Sequence, residues 1–375
     1  MRSTWLGLTG FALIAVSYGL ARFAWGVMLP DVMRDIPFTP QRAGILSACS
    51  FIAYCLAILA APLLSARAGP RLPAFISSLS AASGLLLIAV AHSEWLLGLG
   101  LFIAGLSAGL ASPAIAAAVS QTMADAQQPK MNMIINAGTS AGIIVSVPVL
   151  FWLPGGWRMA CTLFALLALL CAVPVWRILP KNKLLTQSAS AHGFLRRRTL
   201  QRLMAIAFFS GIASAAWWSF GPELLHRLGI AQGAISLLWV TAGAAGIAGA
   251  LTGPLANVIA MKQIYRLSQC CLALPLLVIA FSQHFSWWLF PCVALGGAGY
   301  VTLSGVLLVW GAAATESSPA TGVSTLFFML ALGQVIGSML FGQIYALTSG
   351  KTALLIFAAL PLLFVFAIRH TPRHL

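Results

Sequence analysis

Tyr18, Arg22 and Trp25 stand at i, i+4 and i+7, a spacing that puts three side chains on one face of an α-helix. Such a face offers a guanidinium fork for a carboxylate or phosphate, a hydroxyl to orient the bound group, and an aromatic wall. The segment around them is apolar, and a charge in an apolar span is costly enough that it usually turns toward protein or a wet cavity. Two plainer fates compete with a cavity. One is snorkelling to the outer interface, about six residues or roughly 9 Å away; the other is a bond to a neighbouring backbone carbonyl. Helical side chains lean toward the helix N-terminus, which directs Arg22 away from that nearer surface. Trp25, close to the boundary, also suits helix packing or an interfacial position.

Tyr54, Asn136, Tyr300 and Gln334 are polar groups inside apolar runs, able to orient a small substrate or simply to bond a neighbouring helix. Trp217 and Trp218, near the end of a run, suit a gate wall or, better, an interfacial belt. The acidic residues are Asp31, Asp35, Glu94, Asp125, Glu223 and Glu316, none of them in the middle of a run. Proton coupling would therefore fall to Asp31 or Glu223, whose plain reading is that of solvated acids at helix ends. The seven cysteines lie in apolar runs without CxxC or a His at ligand spacing, so no disulfide framework, metal site or cofactor is expected. They read as small buried hydrophobes. There is no H-E-x-x-H and no phosphate-cradling loop, so the chain is not expected to be an enzyme.

The elements that position these groups follow from composition. Of 375 residues, 60% are hydrophobic and 7% charged, and the mean hydropathy is +0.96. That excludes a soluble protein, and at about 20 residues per crossing the length suffices for a dozen spans. Apolar runs fall near 5–28, 43–64, 73–91, 95–119, 134–152, 159–176, 203–220, 235–256, 264–282, 287–313, 320–346 and 352–368. They are too long for strands and lack period-2 alternation, so an outer-membrane barrel is a poor fit.

With the N-terminus inside, the inner segments hold fifteen basic residues: Arg2, Arg67, Arg71, Lys130, the seven between Arg177 and Arg202, Lys262, Arg266, Arg369 and Arg373. The outer loops hold five, Arg34, Arg42, Arg158, Arg227 and Lys351, which leaves Arg22 alone within a span. This asymmetry places both termini on the cytoplasmic side. It also makes the net charge of +15 a topology signal scattered over loops, so nucleic acid is not an expected partner. The expected partners are a small-molecule substrate and membrane lipid, with the chain a monomer. The polar stretch 179–202 reads as a cytoplasmic linker between six-helix bundles at 1–178 and 203–375.

The two halves resemble each other. At an offset of 192, Gly19, Trp25, Pro30 and Asp31 meet Gly211, Trp217, Pro222 and Glu223, while Gly105 meets Gly297. An even number of spans per half makes the repeat parallel. Pairs such as Gly105/Gly109, Gly138/Gly142 and Gly333/Gly337 fit close helix crossings.

The loop after span 2, Pro62 to Arg71, resembles the inner-loop signature G-x-L-x-D-R-x-G-R-R of the major facilitator superfamily, matching at Leu64, Arg67, Gly69 and Arg71. Its second-half copy matches at Gly253, Leu255 and Lys262, with Asn257 in place of the acid. Gly156-Trp157-Arg158 at the start of span 6 and Gly105/Gly109/Pro113 in span 4 are also similar to that family. The segment from Tyr18 to Trp25, followed by Leu29-Pro30, resembles its YbfB/YjiJ-like bacterial branch. The resemblance implies an all-α membrane protein with 12 transmembrane helices in two six-helix pseudo-repeats. It also implies a bacterial inner membrane and alternating access around a substrate held between the halves, with Arg67 and Arg71 in gating positions; Asp31 and Glu223 remain the coupling candidates of the acidic inventory. The leading expectation is transport of a small anionic or amphipathic organic solute. Proton-linked efflux of hydrophobic compounds is the first alternative and a non-transporting ligand sensor the second.

Overall fold

Runs of apolar residues with the intervening polar clusters of the sequence become helices and short connections in a computed structural model, which describes residues 2–182, 198–249, 255–256, 258–315 and 319–367. Most of the expected linker, including Arg196 and Arg197, lies outside the described residues, as do Gly253, Asn257, Glu316, Arg369 and Arg373.

Among the described residues the fold is helical and no strand occurs. Eleven helices are long and apolar enough to cross a membrane: α1 Ser3–Asp35, α2 Pro40–Ala68, α3 Arg71–Ala89, α4 Glu94–Thr122, α5 Lys130–Trp152, α6 Gly156–Ile178, α7 Arg198–Arg227, α8 Gln232–Gly249, α9 Met261–Phe281, α10 Leu289–Ala314 and α11 Thr321–Leu347. The apolar α12, Gly350–Phe364, is shorter at 15 residues. Local chemistry sets several ends. Ser93 accepts a hydrogen bond from the Leu96 amide at the start of α4 with Glu94 in the first turn, and Ser349 caps α12 in the same way. Gly155, at φ 102°, supplies the left-handed residue that turns the chain into α6.

The chain divides into two compact units, residues 1–38 with 46–186, and 39–45 with 187–375. The first has a core of small and branched residues that includes Leu13, Ile14, Ala111, Ile115 and Val175. The second is built more heavily, around Tyr265, Leu303, Leu307, Trp310 and Leu326. Each unit closes a crossing on a glycine at the position the repeat predicts. A Cβ at Gly105 of α4 would strike the Ser50 carbonyl of α2, and one at Gly297 of α10 would strike the Ala242 carbonyl of α8. Both glycines and both carbonyls are related by the offset of 192.

Two helices run furthest past their expected ends. α1 and α7 run seven residues beyond their expected ends at 28 and 220, through Pro30 and Pro222. A proline removes one backbone bond but fixes a φ that a helix accepts, so a well-packed helix continues past it. Asp31 and Glu223 are consequently helical residues, not loop acids. The second departure lies within α1, where Ala15–Phe23 is π-helical.

The belt expected of Trp217 and Trp218 is not found at these residues. Trp217 and Trp218 are buried, whereas the exposed tryptophans include Trp95 at the start of α4, Trp152 at the end of α5, and Trp287 and Trp288 at the start of α10. Among the cysteines, all free, Cys270 is exposed and corrects the expectation of uniform burial.

Candidate functional site

In the first unit the π-helical segment of α1 carries Tyr18 and Arg22, and Arg22 is only 7% exposed. Its guanidinium carbon lies 4.3 Å from the ring centre of Tyr54, 4.8 Å from Phe51, 5.4 Å from Phe23 and 5.7 Å from Tyr18. All four are cation–π distances, which favour the charge in a place where water is scarce. Ser112 of α4 donates to the Tyr18 hydroxyl at 2.9 Å, and Tyr18 donates onward to Tyr54 at 3.4 Å. Three helices therefore converge on one cation through rings and hydroxyls. Snorkelling, with its exposed head group, does not describe this burial.

Trp25 is not part of that group. It is buried, and its indole donates to Ser47 Oγ at 2.8 Å, which ties α1 to α2. A π-helix winds more residues into each turn than an α-helix, so a side chain seven positions along no longer shares the face that 3.6-residue spacing assigns it. Asn136 is exposed, beside the turn at Ala137 where α5 is interrupted.

The second unit assembles a polar and aromatic group of its own. Gln334 of α11, 1% exposed, donates at 3.2 Å both to Ser214 of α7 and to the Tyr300 hydroxyl of α10. Ser214 is the repeat counterpart of Arg22. Trp218 stands edge-on to Tyr300 at 5.5 Å and to Trp239 of α8 at 5.3 Å. Trp239, buried in the middle of α8 and unremarkable as a lone aromatic in an apolar run, is the residue that sequence reasoning misses. Gln269 of α9 is fully buried and bonds Ser210 at 2.8 Å, a bond between helices.

Residues 11–329 match the family model described as Major Facilitator Superfamily. The chain belongs to the major facilitator superfamily. The nucleoside transporter NupG has the same fold: a point mutant of it aligns over 96% of this chain and 98% of its own, at 14% identity and a TM-score of 0.79. A second NupG structure aligns over 98% of each chain at 17% identity with a TM-score of 0.75. The protein is thus a membrane transporter of this superfamily and not an enzyme.

The superfamily motifs found in the sequence occupy structural positions that can be read directly. Arg158 of the Gly-Trp-Arg start of α6 donates to the carbonyls of Ala89 at 3.0 Å and Ala91 at 2.6 Å, closing the free carbonyls at the end of α3. Its neighbour Trp157 donates to Asp35 Oδ2 at 2.8 Å and so holds the end of α1. In the inner-loop signature, Arg71 donates from Nε to the Leu179 carbonyl at 2.7 Å. Gln121 reaches the Asn182 carbonyl at 3.1 Å. Gly69, at φ 75°, lies where a Cβ would strike the Lys181 carbonyl. The segment after α6 is thereby docked on the α2–α3 loop, while Arg67 stays exposed.

The two coupling candidates differ. Asp31, with its side chain 32% exposed, pairs at 3.1 Å with Arg34. Glu223, with 6% exposed, pairs at 2.6 Å with Arg227, whose guanidinium also lies 5.4 Å from the Tyr345 ring.

Proposed function

We propose that this transporter moves a small organic anion, or an amphipathic solute with an anionic group, by alternating access. The membrane is a bacterial inner membrane, the chain a monomer, and both termini are cytoplasmic. The carrying observation is the buried Arg22 ringed by Phe23, Phe51, Tyr18 and Tyr54. Rings on several sides keep the guanidinium oriented, and an oriented fork suits the two oxygens of a carboxylate or phosphate better than a mobile point charge does. The Tyr18 and Tyr54 hydroxyls, already coupled, add neutral partners beside the anion. Saturable uptake of a small carboxylate by proteoliposomes of the purified protein, compared with Arg22→Ala, tests the reading. Equal uptake by the two would remove its basis.

One observation favours a second reading, proton-linked movement. Glu223 is a carboxylate buried in a membrane-spanning helix, the type of group that relays protons in carriers. Protonation would release Arg227, its half-exposed partner. Glu223→Gln is therefore expected to abolish the acceleration of transport by an imposed pH gradient while leaving exchange at equal pH. Asp31→Asn, at a more solvated and looser pair, is expected to change little. Loss of the gradient response in Asp31→Asn alone would overturn the assignment.

A further inference from the structure

The first unit gives partners to the indole N–H groups of both Trp25 and Trp157. The second unit treats two tryptophans differently. Trp217 and Trp239 are 4% and 0% exposed, and neither indole N–H meets an acceptor among the described residues. Their rings face each other at 5.7 Å with a tilt of 34°. The Trp217 ring lies over Gly221 of its own helix, where any Cβ would collide with it.

A buried donor without an acceptor carries the desolvation penalty of a lost hydrogen bond. Phenylalanine would fill most of the same apolar space without it. Two such donors on facing rings of neighbouring helices are therefore poorly explained by packing alone. An indole can only donate, so whatever relieves both must bring acceptors. Whatever enters between two tilted rings, bounded edge-on by Trp218, must be flat.

We propose that Trp217 and Trp239, with Trp218, Tyr300 and Gln334 around them, are the closed form of a binding site for a planar ring compound bearing hydrogen-bond acceptors, such as an aryl carbonyl or a heteroaromatic. Binding separates the two indoles and sets them edge-on to the ligand, so that each in-plane N–H points at an acceptor on its rim. Trp218 supplies stacking area, and the Gln334 amide and Tyr300 hydroxyl complete the polar edge. Gly221 supplies the space that lets the Trp217 ring lie back against its helix. The inference goes beyond the anion reading and does not depend on it, because an uncharged ring compound has no need of Arg22.

The test uses the full chain in lipid nanodiscs, labelled with 5-fluorotryptophan and observed by fluorine NMR, with Trp217→Phe and Trp239→Phe assigning the two resonances. The probes are coumarin, a flat bicyclic with carbonyl and ring-oxygen acceptors, and naphthalene, of similar size and without acceptors. Coumarin is expected to shift both resonances saturably, and naphthalene to bind about tenfold to a hundredfold more weakly, the equivalent of two lost hydrogen bonds. Each Phe substitution is expected to weaken coumarin about tenfold and naphthalene, which loses contact area alone, by less. Equal binding of the two probes, no coumarin shift, or unchanged coumarin affinity in both Phe variants overturns the proposal. If a Phe variant does not fold, thermal stabilisation of the parent protein by coumarin against naphthalene decides alone: preference for coumarin supports the site, parity removes it.

Discussion

Arg22→Ala is expected to reduce saturable transport of a small organic anion by on the order of a hundredfold or more in kcat/KM, the scale of removing one partner from a buried, hydrogen-bonded charge pair. The size of the effect follows from where the charge sits. Arg22 is 7% exposed and held by rings from α1 and α2, so water offers little of the solvation that would soften its loss. Arg22→Lys keeps the charge but loses the planar fork and much of the stacking, so its transport is expected to fall between the parent and the alanine variant. Tyr54→Phe keeps the ring 4.3 Å from the guanidinium and removes one hydroxyl, so its effect is expected to be within about tenfold. A purely structural Arg22 would lower the amount of folded protein in all variants according to lost packing and leave KM alone. An anion-binding Arg22 raises KM in the order Tyr54→Phe, Lys, Ala in samples that remain monodisperse. A wild-type KM in Arg22→Ala would sink the idea.

The part of this site that can be read from the sequence is the part that depends on composition. An arginine inside an apolar run is visible without a structure, and so is Tyr18 one turn before it. Phe51 carries a weaker signal, since it precedes Tyr54 by three residues and so shares its helix face. Trp25 falls on the Arg22 face only at 3.6 residues per turn, and nothing in Ala15 to Phe23 announces the π-helix that breaks that spacing. The apolar run ends near 220, which sets the Trp217 and Trp218 pair close to its end. The helix runs to Arg227 instead, and seven further residues carry its end about 10 Å further on. Trp239 has no signal at all, because its importance lies in which rings it meets.

The fold is legible for a different reason. Lipid offers no hydrogen bonds, so each apolar run long enough to cross must satisfy its own backbone, and run lengths alone predict helices. The internal repeat is visible because close crossings tolerate only small residues, and such positions repeat wherever the same crossing is built twice. In the second crossing of each unit the register is looser: Gly19 of α1 approaches Gly142 of α5, whereas Gly211 of α7 approaches Gly333 of α11, one residue short of the offset of 192. The sequence match at Gly19 and Gly211 is therefore real, but no search at a single offset would pair their partners.

That repeated geometry carries the second large effect. Gly105→Val and Gly297→Val are each expected to prevent accumulation of monodisperse protein, and the corresponding Ala variants to unfold several degrees below the parent. At both positions the first atom met by a new Cβ is a backbone carbonyl oxygen, of Ser50 or Ala242. A backbone cannot swing aside as a side chain can, so α2 and α4, or α8 and α10, must separate, and contacts along the whole crossing are lost with them. Overpacking of this kind typically costs about 1–3 kcal/mol and occasionally more. Valine adds two further methyl groups to the same collision. Gly98, on the same helix as Gly105, is the internal control: its nearest neighbours are the Leu46 side chain at 3.4 Å and the Cys49 sulfur at 3.9 Å. Gly98→Ala makes ordinary contact there and removes backbone freedom from the unfolded chain, so it is expected to be neutral or slightly stabilising. Thermal unfolding followed by size-exclusion chromatography separates the cases. Gly105→Ala and Gly297→Ala unfolding at the same temperature as Gly98→Ala would show that helix contact at these glycines is not what limits the fold.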